Sequence, residues 1–152
     1  MGRLVFLGGT VGKNDWRDGF IARIVSRGVP GTTIFNPVVA DWNEEARRQE
    51  EEAKRHASHH IYYLADPKQE GNPLSAYSMV EAAIALHESP KNTVVVFDTE
   101  GMSGHALKAM KQTENVLRTR FPKAAIFSST KDAEDWLVRQ LTRSFFGRMI
   151  AA

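Results

Sequence analysis

The chain of 152 residues contains no cysteine. Disulfides, thiolate catalysis and zinc sites built on cysteine are thereby excluded. No apolar run approaches the ~18 residues that a membrane-spanning helix needs, so no membrane partner is expected. Neither charge sign is in large excess: 20 Lys and Arg face 18 Asp and Glu, for a net charge of +2. The basic residues are dispersed among acids, so no nucleic acid partner is expected either. Met1-Gly2-Arg3 followed by Leu4 to Leu7 is too short for a signal peptide and lacks a small-residue cleavage site. A cytoplasmic address is the expectation.

Hydrophobic residues make up 42% and charged residues 25%, the balance of a globular fold. The length suits one domain, taken as residues 1–152. Short apolar runs at Val5–Leu7, Thr32–Phe35, Ile61–Leu64, Thr93–Phe97 and Ala124–Phe127 read as five strands. Between and after them lie five helical patterns: from Trp16 to Ile24, Glu44 to about Ser58, Ala76 to Leu86, about His105 to Arg118, and Lys131 to about Phe145. Strands that are apolar without in–out alternation suit a mainly parallel sheet with helices on both faces. The fold class is therefore α/β, a doubly wound sheet of five mainly parallel strands. Such sheets bind ligands beyond the carboxyl ends of their strands. The segments to inspect are Gly8–Asp15, Asn36–Trp42, Asp66–Glu81, Asp98–Ser103 and Ser128–Thr130.

Gly8-Gly9-Thr10, between a strand and a helix, admits close approach of a phosphate or sugar, or is a plain turn. It is neither the dinucleotide fingerprint GxGxxG nor a P-loop, since Lys13 is followed by Asn14. That argues against a dehydrogenase and an NTPase, and the loop also lacks the Ser/Thr-rich cradle a flavin phosphate wants. No cofactor is expected. Asn36-Pro37 and Asp41-Trp42 are either a turn and a helix cap or ligand contacts. Glu81 lies in an otherwise uncharged helix, where a partly dry carboxylate can act as nucleophile or base. The competing explanation is a capping box, Ser78-x-x-Glu81, which the spacing alone favours. His56, His59 and His60 have the spacing of one helix face, but no HExxH-type glutamate accompanies them, and no metal is expected. The charged run Glu44–Arg55 reads as a solvated face of i, i+4 pairs.

The ordered blocks Phe6-Leu7-Gly8-Gly9-Thr10 with Trp16-Arg17, Phe35-Asn36-Pro37 with Asp41-Trp42, Ile61–Leu64, Tyr77–Ala83 and Asn92–Phe97 resemble the nucleoside 2-deoxyribosyltransferase family. The resemblance covers about the first hundred residues and continues more loosely to the C-terminus. It implies a flavodoxin-like sheet, a homodimer or larger homo-oligomer, and a nucleoside or nucleotide as the small-molecule partner. The activity it implies is cleavage of the N-glycosidic bond of 2′-deoxynucleosides or deoxynucleotides, the sugar passing to a second base. The alternatives are a nucleotide N-glycoside hydrolase, in which water takes the sugar, and a non-catalytic binding module of the same fold. By position the nucleophile is Glu81. Gly8, Gly9 and Thr10 line the sugar or 5′ end, Asn36 and Trp42 wall the base side, and Ser75 and Ser78 belong to the substrate site. Ser75 stands where family transferases often carry an aspartate, and His59 or His60 where they commonly carry another. The acid/base partner is open among Asp66, Glu70 and Asp98.

Overall fold

A computed structural model describes residues 2–68 and 74–151, with side chains described through residue 142. Five strands, β1 (Val5–Gly9), β2 (Ile34–Phe35), β3 (His59–Leu64), β4 (Thr93–Phe97) and β5 (Ala125–Phe127), alternate with five helices. The helices are α1 (Trp16–Ser26), α2 (Glu44–His56), α3 (Ala76–Glu88), α4 (Gly104–Arg120) and α5 (Thr130–Ala151). Every strand pair is parallel. The order β2-β1-β3-β4-β5 is the flavodoxin-like doubly wound order. The chain winds one way from β1 to β2 and the other way from β3 onward, so the switch point lies between β1 and β3.

The two faces are separate apolar clusters. Val5, Leu7, Ile61, Tyr63, Val94 and Val96 pack with Trp16, Phe20 and Ile24 of α1 and Ala133 and Leu137 of α5. Phe6, Tyr62, Leu64, Val95 and Phe97 pack with Ala53 of α2, Ala82, Ala85 and Leu86 of α3, and Met110 and Leu117 of α4. Alternate strand residues thus serve opposite faces, as the two-residue period of a strand demands. Both faces are covered, which is why the strands read as unbroken apolar runs.

Local chemistry sets the helix ends. The Asn43 side chain caps α2 by accepting from the Ala46 N–H at 2.9 Å, so neither Asp41 nor Trp42 is the cap. Glu44 and Glu45 lie in the first turn and Lys54, Arg55 and His56 in the last, complementing the helix dipole at both ends. Ser75 caps α3, its Oγ accepting from the Ser78 N–H at 3.2 Å. The expected capping box is therefore corrected. The helix starts one turn earlier than that box requires, Ser78 sits at its third position, and Glu81 is well inside it.

Two other expectations change. The second strand is shorter than Thr32–Phe35, because Gly31–Thr33 forms a 3-10 turn closed by the Thr33 N–H onto the Pro30 carbonyl at 3.0 Å. The third strand starts earlier, at His59, so His59 and His60 belong to it and point to opposite faces of the sheet, while His56 ends α2. His59 packs against Trp136, and His60 against Phe6 and Tyr62. On α3, Tyr77, Val80 and Ile84 are exposed on one stripe. Among the described residues no helix is long and apolar enough to cross a membrane.

Candidate functional site

At the switch point, beyond the carboxyl end of β1, a cavity of about 560 Å³ opens on the face carrying α2 and α3. Its floor exists because residue 8 has no side chain. A Cβ at Gly8 would collide with the Tyr62 and Phe6 rings beneath it. Gly9 takes φ +114°, and a Cβ there would run into the backbone of Tyr63. Only glycine accepts that conformation without strain. The chain can therefore turn out of the sheet directly at the cavity.

Of the residues expected at a site, Gly8, Gly9, Trp42, Ser75, Ser78 and Glu81 all line this cavity. Thr10 and Asn36 do not. The Thr10 hydroxyl is buried, donating to the Ala65 carbonyl at 3.2 Å and accepting from the Ala65 N–H at 2.9 Å. It fastens the loop to the chain leaving β3. Asn36 Oδ1 accepts from the Val38 N–H at 3.0 Å and forms a turn. Its side chain borders an adjoining hollow of about 100 Å³, shared with Asn14 and Arg17. Asp66 and Asp98 line a different hollow of about 170 Å³, where Asp98 accepts from the Tyr63 hydroxyl at 2.6 Å. Neither borders the cavity of Glu81. Glu70 lies outside the described residues.

The charged helix α2 supplies what was not foreseen. Its Arg47, Glu50 and Glu51 line the cavity, and Lys54, which lines a neighbouring hollow of about 350 Å³ that also borders Glu81, forms an ion pair with Glu81. Lys54 Nζ also lies 2.8 Å from Glu50 and 3.2 Å from Glu51. The Lys54, Glu50 and Glu81 side chains are only 15%, 14% and 13% exposed. Reading the whole run from Glu44 to Arg55 as solvated is thus corrected. Glu44–Arg47 and Glu45–Arg48 are exposed surface pairs, but the Glu50–Lys54 edge is turned inward. The one sequence signal is that Ala46, Ala53 and Ala57 are too few and too small to fill a helix face, so the long side chains beside them reach under the helix.

Arg17 is the second unforeseen residue. It is 5% exposed, donates to the carbonyls of Leu7, Gly9 and Thr10 at 3.2, 3.2 and 2.8 Å, and lies over the Trp16 ring. It thus pins the glycine loop by its own backbone. Burial pulls its pKa down to about 10 against the attraction of Glu50 and Glu81, which leaves it a cation at neutral pH.

The electrostatics of the carboxylates follow from the same packing. Burial raises the pKa of Glu81, Lys54 draws it back down, and Glu50 and Glu51 add to the rise. For Lys54, burial opposes the charge, but Glu50 and Glu81 outweigh it and hold the ammonium well above the ordinary lysine range. Trp42 and Tyr77 stand exposed at the mouth, with Val38 and Val39 beside them. Chemically, the cavity offers a half-dry carboxylate, a fixed cation beside it, a floor open to the backbone, and an aromatic rim. Among the described residues no group of three His, Asp or Glu could hold a metal ion.

No curated protein matches the chain. A family model described as nucleoside 2-deoxyribosyltransferase like matches residues 2–100, a span running from β1 through β4 that contains every residue lining the cavity. On that match, the chain belongs to the nucleoside 2-deoxyribosyltransferase-like family.

Proposed function

We propose that the protein cleaves the N-glycosidic bond of a 2′-deoxynucleoside or deoxynucleotide, with Glu81 as nucleophile. The observation that carries this is the position of Glu81: a carboxylate 13% exposed, aimed into the cavity at the switch point of a sheet of this family. A Glu81 oxygen attacks the anomeric carbon, forming a C–O bond as the C–N bond breaks. The base leaves with the bonding electrons on its ring nitrogen and takes up a proton from solvent. A second base, or water, then attacks the same carbon, gives up a proton to solvent and releases the Glu81 carboxylate. Each step passes through an oxocarbenium-like transition state, which a carboxylate in dry surroundings stabilises.

The remaining residues have roles in this reading. Gly8 and Gly9 let the sugar approach the backbone, Ser75 and Ser78 bond its hydroxyls or 5′ end, and Trp42 with Tyr77 flank the base. Thr10 and Asn36 act one step removed, by holding the loops that carry these contacts. The reading includes a homo-oligomer, in which a second copy covers the exposed stripe of Tyr77, Val80 and Ile84.

The test is Glu81→Gln, assayed against each deoxynucleoside and deoxynucleotide with and without a second base. Gln keeps the shape but can neither form the glycosyl ester nor supply the charge. Release of free base is expected to fall on the order of a thousand-fold or more, with ligand binding retained. Cleavage by the variant near the parent rate would refute the role of Glu81. Release only in the presence of a second base marks transfer, and release without one marks hydrolysis. Should the parent cleave none of these compounds, the cavity is a nucleotide-binding site without turnover.

A further inference from the structure

We infer that Lys54 is the positioning residue of the site, the one cation that holds Glu81 ionised and aimed, and that Glu50 competes for it. This rests on the reading of Glu81 as nucleophile.

Lys54 is held from every side. Its ammonium pairs with Glu81, Glu50 and Glu51 and is 3.4 Å from the Tyr77 hydroxyl. It lies 5.7 Å from the Phe6 ring centroid and 5.3 Å from that of Tyr77, within the range of cation–π attraction. The backbone is fixed as well. The Lys54 carbonyl accepts from His60 Nε2 at 3.0 Å, which ties the last turn of α2 to β3. A carbonyl can only accept, so the proton of neutral His60 is on Nε2. The flexible stem of lysine is thereby converted into a point charge at a defined place.

The need for such a charge is specific. Glu81 must be ionised to attack, yet it is buried and faces two further carboxylates, Glu50 and Glu51 of α2. Among the described residues, the other ionisable groups bordering the two hollows that meet Glu81 are Tyr62 and His60 of β3, Tyr77 and Glu88 of α3, Arg47 and Arg55 of α2 and the more distant Arg17 of α1. Arg17 already spends three N–H groups on backbone carbonyls. Lys54 is thus the cation in direct contact, and it is shared. Any gain by Glu50 in its hold on Lys54 is a loss for Glu81.

Titration of the Glu81 carboxyl tests this without any substrate. The full-length protein is labelled with ¹³C-glutamate, and the Glu81 side-chain carbon is identified by its disappearance in Glu81→Gln. In Lys54→Met its midpoint is expected to rise by about one pH unit or more, the size of effect of removing an adjacent opposite charge. In Lys54→Arg it should stay near the parent value. In Glu50→Gln it should fall, because a competitor and a like charge are both removed. A Lys54→Met midpoint that coincides with the parent overturns the inference. If Lys54→Met does not fold, Glu50→Gln decides alone, and an unchanged or raised midpoint there overturns it. The acid limb of kcat/KM should move in the same direction as each midpoint. Midpoints that move as stated in a protein that cleaves nothing would leave the Lys54 inference standing and remove the catalytic reading alone.

Discussion

Alternate residues of β3 meet two different environments. Ile61 and Tyr63 face α1 and α5, where Phe20, Ile24, Ala133 and Leu137 are wholly buried and the face is shut. The charges there are paired: Glu134, only 5% exposed, accepts from the half-exposed Arg23 at 2.5 Å, and Arg27 pairs with Asp135 at 2.6 Å. Tyr62 and Leu64 face the other way, toward α2, α3 and α4. Near β4 and β5 that face is equally shut, by Leu86, Met110 and Leu117. Near β1, however, the covering helix is α2, whose only buried apolar side chain is Ala53. A helix with so little apolar surface cannot close a sheet, and the space it leaves is the cavity. One strand can therefore serve stability on one side and chemistry on the other.

Phe20→Ala on the shut face should break this contrast with the greatest effect. Removing a fully buried ring costs about 3–5 kcal/mol, a fall in Tm of roughly 10 °C for a chain of this size. Ligand affinity, measured at temperatures where the variant is folded, should match the parent. A parallel loss of affinity would show that the two faces are not separate.

A smaller effect is expected from Ile84→Asp on the exposed stripe of α3. The parent should sediment as a dimer or larger, and the variant as the single chain of 17.0 kDa. Little secondary structure should be lost, because the side chain is already half exposed. A parent that is monomeric at micromolar concentration would leave the open face uncovered.

The finest comparison uses the two buried histidines, one on each face. Burial lowers the pKa of His59, with help from Arg3 and His60, and burial lowers that of His60 against the Lys54 carbonyl and Glu88. Between these lowered values and the ordinary 6.5 the unfolded chain binds more protons than the native one. Stability therefore rises with pH through that window. Glu81 acts with the opposite sign: its raised pKa keeps a proton on the native state above 4.5, so its contribution falls as pH rises. The net slope of Tm against pH should flatten in His59→Gln and again in His60→Gln. A slope unchanged by both substitutions would remove the histidines from the acid sensitivity.

Much of the fold was legible because it rests on local pattern. Val94-Val95-Val96 reads as a buried strand in any context, and the glycines after Leu7 mark the end of β1. Glu81 stands out as an isolated carboxylate in an apolar helix, but its spacing from Ser78 favours a cap, and only the family resemblance singles it out as a nucleophile. The errors arose where spacing permitted two answers. Ser75 and Ser78 are both serines with a residue to cap three positions on, and the chain before α3 chose the first. The boundary between α2 and β3 was also open: the helix stops at His56, not near Ser58, and the strand starts at His59, not Ile61.

Sequence alone determined the alternation of strands and helices and the apolar character of the strands, because each depends on residues adjacent in the chain. Which edge of α2 turns inward was decided only in three dimensions. Glu50, Lys54 and Glu81 are brought together by two helices packing on one sheet face. Helical periodicity puts Glu50, Glu51 and Lys54 on neighbouring positions but cannot say which of them meets Glu81. That choice belongs to the reversal of winding between β1 and β3, which sets α2 beside α3 on one face and leaves a charged helix edge half buried.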